Sequence, residues 1–150
     1  MDAIAFYRRA DQYTIKSMKR ELVKAYTCFR IPEGVTDAKS AIATGNWGCG
    51  AFNGNKQLKG NKNLQRSMIE MFLLAIIQLI AASKAGRPLV YLTFRDQNLV
   101  TSFSEVYDYL VREKATVKDL CAYLQQYISL YTKITLFEHI LQTPVSSLHP

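Results

Sequence analysis

The run Thr44-Gly45-Asn46-Trp47-Gly48-Cys49-Gly50-Ala51-Phe52-Asn53-Gly54 holds the residue types best suited to gripping a charged ligand. Four of the chain's seven glycines fall within these ten positions from Gly45 to Gly54. Glycine lets the backbone enter positive φ and come close to a bound group. Successive amide N–H groups can then form a nest for phosphate oxygens. A diphosphate suits such a loop, because each added oxygen can take another amide. Trp47 and Phe52 add aromatic surface beside it. The string is neither the GxxxxGK[ST] phosphate loop nor the GxGxxG dinucleotide fingerprint. On residue types alone, a phosphate site and a plain structural turn both stay open.

Other chemistry is thinly represented. The twelve carboxylates are dispersed, with no two adjacent, so no acid pair is visible for glycoside or proton-transfer work. Cys28, Cys49 and Cys121 are too few and too scattered for a disulfide framework or a CxxC metal knuckle. His139 and His149 lie near the C-terminus with no second ligand at metal spacing. No catalytic residue, metal or cofactor is therefore assigned. The net charge of +7 resides in residues 1–66, which hold 12 Lys/Arg against 5 Asp/Glu, whereas residues 67–150 hold 7 of each. That field suits either a solvated basic helix face or attraction to a polyanion.

The elements that would position the loop follow from periodicity. Met18, Leu22, Ala25, Tyr26 and Phe29 recur at helical spacing with Lys16, Lys19, Arg20 and Lys24 between them, and a turn follows at Ile31-Pro32-Glu33-Gly34. Ser40–Thr44 reads as a short buried strand running into the loop. After a polar stretch, Asn55 to Gln65, a helix is expected over Ser67–Lys84, apolar on most faces and enclosed on more than one side. Gly86 is its expected C-terminal cap, with Pro88 just beyond. Leu89–Phe94 reads as a strand covered on both faces. Two amphipathic helices follow, one through Val100, Phe103, Val106 and Leu110, the other opening at Thr116 and carrying Leu120, Tyr123, Leu124 and Tyr127. A last short helix covers Leu136 to Leu141.

With 150 residues, 49% of them hydrophobic, one packed domain is expected. The most apolar stretch, Met68 to Ala82, is short of the about 20 residues that a membrane span needs, and it contains Glu70 and Gln78. The opening residues lack the order and length of a signal peptide. A soluble protein in a reducing compartment, nucleus or cytoplasm, is the expectation.

The string Gly45-Asn46-Trp47-Gly48-Cys49-Gly50-Ala51-Phe52 resembles the diphosphate-binding loop of the poly(ADP-ribose) glycohydrolases. The likeness extends upstream through Asp2-Ala3-Ile4, Asp11-Gln12-Tyr13, Arg20-Glu21-Leu22 and Lys24-Ala25-Tyr26. Downstream it runs through Ile77-Gln78-Leu79-Ile80-Ala81-Ala82 and Val90-Tyr91-Leu92-Thr93-Phe94. It covers about residues 1–115 and is weak over the final helices. The resemblance implies an α/β, macrodomain-like mixed sheet between helices. It also implies a chain that binds ADP-ribose units of poly(ADP-ribose), whose ribose–ribose bonds the family hydrolyses. By the same resemblance Gly45–Phe52 would hold the diphosphate, with Phe52 against the neighbouring ribose, and Phe94 would stack near the adenine. Cys49 reads as a small buried side chain, since the family performs no thiol chemistry.

The likeness has gaps. Glycoside cleavage needs a carboxylic acid at the leaving oxygen, and the family's Gly-Gly-Gly segment with its Gln-Glu-Glu triplet is absent from these 150 residues. Residues 1–150 are accordingly expected to be a partial macrodomain, its second half, with a helical C-terminal segment. A second chain completing the sheet is one expected partner, alongside poly(ADP-ribose) or ADP-ribose. A membrane and specific nucleic-acid binding are not expected. A non-catalytic ADP-ribose-binding module and an inactive truncated fragment remain alternatives to a glycohydrolase half. Asn53-Gly54-Asn55 stands where the family has Gly-Gly-Asp after the loop, and Arg95-Asp96 where it has Gly-Asp after the strand. Arg95 would either crowd a tight turn or add a cation near phosphate. Roughly Gly60 to Leu74 looks inserted, as a longer surface excursion or as a gene-model error that lengthens the helix.

Overall fold

The computed structural model describes residues 14–35, 40–45, 61–130 and 134–149, with only the backbone given for 61–70. The described elements run α1 (Ile15–Phe29), β1 (Ile42–Gly45), α2 (Asn61–Ala85), β2 (Leu89–Leu92), α3 (Gln97–Arg112), α4 (Val117–Ser129) and α5 (Leu136–Gln142), then a 3-10 turn at Val145–Ser147. The two strands are parallel, pairing Ile42 with Leu89 and Gly45 with Leu92. Because α2 connects them, β1, α2 and β2 form a strand–helix–strand unit, the building block of layered α/β domains.

The helix α2 is the centre of the core. Phe72, Ala75, Ile76, Ile77, Ile80 and Ala81 are buried all round it, against α1 on one side and α3, α4 and α5 on others. The enclosure expected from its composition is therefore present. The helix begins at Asn61, six residues before the expected Ser67, so most of the apparent insertion lengthens it. Its end is as read. Gly86 has φ +66, and the amides of Gly86 and Arg87 donate to Ser83 O and Ala82 O, closing the last turn in the left-handed geometry that glycine favours.

An aromatic series joins the sheet to the helices. Tyr91 of β2 stacks on Phe103 of α3 at 5.7 Å, Phe103 meets Phe137 of α5 at 5.9 Å, and Phe137 stacks on Phe72 of α2 at 4.1 Å. Each such pair contributes about 0.5–1.5 kcal/mol beyond the area it buries. The caps of α3, α4 and α5 are made by Asp96, Thr116 and Thr135, the last two in reciprocal capping boxes with Asp119 and Glu138.

Two expectations about the strands are corrected. The first strand is shifted, beginning at Ile42 rather than Ser40 and including Gly45. The second ends at Leu92, two residues short of Phe94, and is not covered on both faces. Ile42, Thr44, Leu89 and Tyr91 face the helices, whereas Val90 and Leu92 are 49% and 52% exposed. An apolar run signals two-sided burial only when both faces have something to pack against. Among the described residues the helices lie against one face. The described sheet is a parallel pair, so the mixed strand directions expected of the fold are not seen in these residues. Among the described residues, no helix is long and apolar enough to cross a membrane.

Candidate functional site

Parallel strands joined by a helix place both of their C-terminal ends at one edge, and in open α/β sheets that edge is where ligands bind. Here it consists of Gly45 at the end of β1 and the Thr93–Asp96 turn after β2. In that turn the Asp96 amide donates to Thr93 O at 3.1 Å, while Phe94 and Arg95 both have positive φ, 53° and 69°. Left-handed backbone costs a non-glycine residue about 1–2 kcal/mol. Two such residues in succession therefore form a strained turn. The Asp96 side chain helps to hold it by accepting from the Leu99 amide at 3.0 Å, which caps α3.

The turn puts Phe94 over the end of the neighbouring strand. A Cβ placed on Gly45 would lie 2.6 Å from Leu92 O and 2.9 Å from Cε2 of the Phe94 ring. Contacts that short do not occur, so only glycine fits there. Yet Phe94 is 72% exposed. A large aromatic ring held on a strained backbone and left open to solvent has a face free for stacking, and a planar heterocycle is the kind of group it would take.

From the helix side the same strand end is fixed by Gln78. This side chain is fully buried on α2. Its Nε2 donates to Gly45 O at 3.1 Å, and its Oε1 accepts from the Thr44 hydroxyl. Sequence reasoning noted Gln78 only as a polar interruption of an apolar helix. The signal that could have identified it is a lone carboxamide on a fully buried helix face, since such a group must find partners.

Of the residues assigned to the site from sequence, Gly45 and Phe94 are brought together. Asn46, Trp47, Gly48, Cys49, Gly50, Ala51 and Phe52 lie outside the described residues. Arg95 is exposed in the turn beside Phe94. Its φ explains why the position suits glycine.

The titratable groups elsewhere have structural settings. The Asp119 carboxyl is held below the usual carboxylate range, chiefly by the Thr116 hydroxyl and amide, with His149 Nε2 a further partner at 2.8 Å. Burial pushes the His139 imidazole below its ordinary value, between the rings of Tyr123 and Tyr127. Burial likewise pushes the Cys121 thiol up. Among the described residues, no group of three or more His, Cys, Asp or Glu could hold a metal ion.

A strand–helix–strand domain with an open aromatic at its strand ends defines an α/β protein of the ligand-binding kind. Residues 1–101 match the family model described as poly(ADP-ribose) glycohydrolase, macro domain fold. The chain is 31% identical over 109 residues to poly(ADP-ribose) glycohydrolase 1 of Caenorhabditis elegans, a match covering 73% of this chain and 12% of that protein. It is 34% identical over 96 residues to poly(ADP-ribose) glycohydrolase 2 of the same organism, covering 64% of this chain and 16% of that protein. It is also 34% identical over 94 residues to the probable poly(ADP-ribose) glycohydrolase 2 of Arabidopsis thaliana, covering 62% and 15%. The chain belongs to the poly(ADP-ribose) glycohydrolase family. The matched segments span less than a fifth of the length of these relatives.

Proposed function

We propose that this chain is the diphosphate- and adenosine-binding half of a poly(ADP-ribose) glycohydrolase-type macrodomain, and that its ligand is ADP-ribose, free or as a unit of poly(ADP-ribose). The observation that carries the reading is the juxtaposition of Gly45 and Phe94 at the ends of two parallel strands. In this reading the Gly45–Phe52 backbone holds the diphosphate, Phe52 lies against the neighbouring ribose and Phe94 stacks on the adenine. The family reaction is hydrolysis of ribose–ribose O-glycosidic bonds. The acid that reaction needs at the leaving oxygen has no paired-carboxylate candidate in the 150 residues. The catalytic acid would then be supplied from outside them, by further chain or by a partner that completes the sheet. The half-exposed Val90 and Leu92 on the outer sheet face favour such a completing layer.

The test pairs binding with turnover. Titration of the folded chain with ADP-ribose should give saturable binding at moderate salt, and double-stranded DNA should compete poorly. Incubation with poly(ADP-ribose) should release no free ADP-ribose. Absence of ADP-ribose binding would overturn the reading. Release would show that one of the dispersed carboxylates serves as the acid. If instead DNA and ADP-ribose polymer bound alike, with affinity falling steeply as salt rose, the basic first half alone would account for binding.

A further inference from the structure

We infer that Gln78 is a positioning residue for the diphosphate loop: its buried carboxamide sets the rotation of the peptide that leads out of Gly45. The inference rests on the reading of that loop as the diphosphate site and adds a residue on a different element.

Gln78 sits between Ile77 and Leu79 in a helix whose buried face is otherwise apolar. A carboxamide with no exposed surface is costly there unless it is hydrogen-bonded, and an aliphatic side chain of similar size would fill the space without that requirement. Both partners that satisfy it lie on the last two residues of β1. The Thr44 hydroxyl donates to Oε1, which fixes which end of the amide faces which partner, and Nε2 then donates to Gly45 O at 3.1 Å.

Ladder bonds to β2 alone leave the terminal peptide of a strand free to rock. Here the last carbonyl is held from the helix instead. A planar peptide carries its carbonyl and its next N–H as one rigid unit, so fixing the Gly45 oxygen also fixes the first amide that leads into the loop. Anion nests depend on the direction of such amides. Gly45 cannot be held in place by a side chain of its own, because Leu92 O and the Phe94 ring occupy that space. The hold has to come from the opposite side of the strand, where Gln78 is.

The test separates the two parts of the ligand. Gln78→Met keeps the volume and the apolar packing but removes both hydrogen bonds. It should weaken ADP-ribose binding about tenfold, the scale of one neutral hydrogen bond left unmade at a ligand site. Binding of adenosine, which lacks the diphosphate and relies on Phe94, should stay within about twofold of the unsubstituted chain by NMR titration. The urea midpoint should be unchanged or raised, since a buried polar group has gone. Thr44→Val, which removes only the orienting hydroxyl, should weaken ADP-ribose binding by a smaller factor in the same direction, and it serves if Gln78→Met does not fold. Equal ADP-ribose affinity in the folded variants would overturn the role of Gln78 while leaving the loop assignment intact. Parallel losses for ADP-ribose and adenosine would make Gln78 a structural residue and overturn the inference as well. No ADP-ribose binding by the unsubstituted chain would overturn the site reading itself, and the inference with it.

Discussion

The two ends of the short sheet are built in opposite ways. At the N-terminal end of the strands, Arg87 ties three segments together. Its Nη1 donates to Phe29 O at 3.0 Å, Nε and Nη2 donate to Ser40 O at 3.0 and 2.9 Å, and Nη2 also reaches Ser40 Oγ at 2.9 Å. The Ile42 amide donates to Pro88 O beside it. At the C-terminal end, two residues are held in left-handed backbone, a glycine is kept small by its neighbours, and an aromatic ring faces water. The closed end carries hydrogen bonds that hold α1 and both strands in place. The open end carries strain and exposed apolar surface, which are liabilities unless something binds there. That asymmetry is the main physical reason for placing the site at the strand ends.

Substitutions at each end should separate these roles. The largest effect is expected from Gly45→Val, because even its Cβ would meet a backbone oxygen at 2.6 Å. The variant should lose about 3 kcal/mol of stability in urea unfolding and should lose ADP-ribose binding with it. A well-folded Gly45→Val that binds normally would show that the strand end is not tightly built.

Arg87→Ala should come next, at about 2 kcal/mol, since it removes charged donors from Phe29 O and Ser40 O. Because Arg87 serves the closed end, the folded fraction should still bind ADP-ribose with its affinity within about twofold, a change worth less than one such hydrogen bond. A specific loss of affinity there, with little change in the unfolding curve, would mean that the two ends are not separable.

Arg95→Gly should act in the stabilising direction. Replacing the residue at φ +69 with glycine should raise stability by about 1 kcal/mol. If the Arg95 side chain also crowds the adenine position, ADP-ribose binding should tighten. Weakened binding would instead identify Arg95 as a cation that helps to hold the phosphate.

Most helices were legible in the sequence because their signals are local. The Met18–Phe29 stripe of α1, the Leu120–Tyr127 stripe of α4 and the glycine that ends α2 depend on spacing and on single residues. What lay outside local pattern was less legible. The run Leu89–Phe94 reads as one long buried strand. Its end at Leu92 is set by a turn using Phe94 and Arg95 in left-handed geometry, which neither residue type signals. The exposure of Val90 and Leu92 depends on what covers the outer face, which apolarity cannot report. Likewise the pairing of Gln78 with Thr44 and Gly45 spans more than thirty residues, so only the folded chain reveals it. The glycine-rich run pointed to phosphate by residue type and to its family by resemblance. Of that run, the structure supplies the anchor at Gly45 and, across the strands, its aromatic neighbour Phe94.

The account's central claim is that the open strand end takes ADP-ribose with Phe94 as its stacking face. The most direct test is calorimetric titration of ADP-ribose into the unsubstituted chain and into Phe94→Ala, with urea unfolding of both. The account predicts that Phe94→Ala is at least as stable, since an exposed ring and a strained backbone are being replaced, yet binds about tenfold more weakly, the range expected for one lost base–aromatic stack. Equal affinity in the two proteins, both folded, would contradict it.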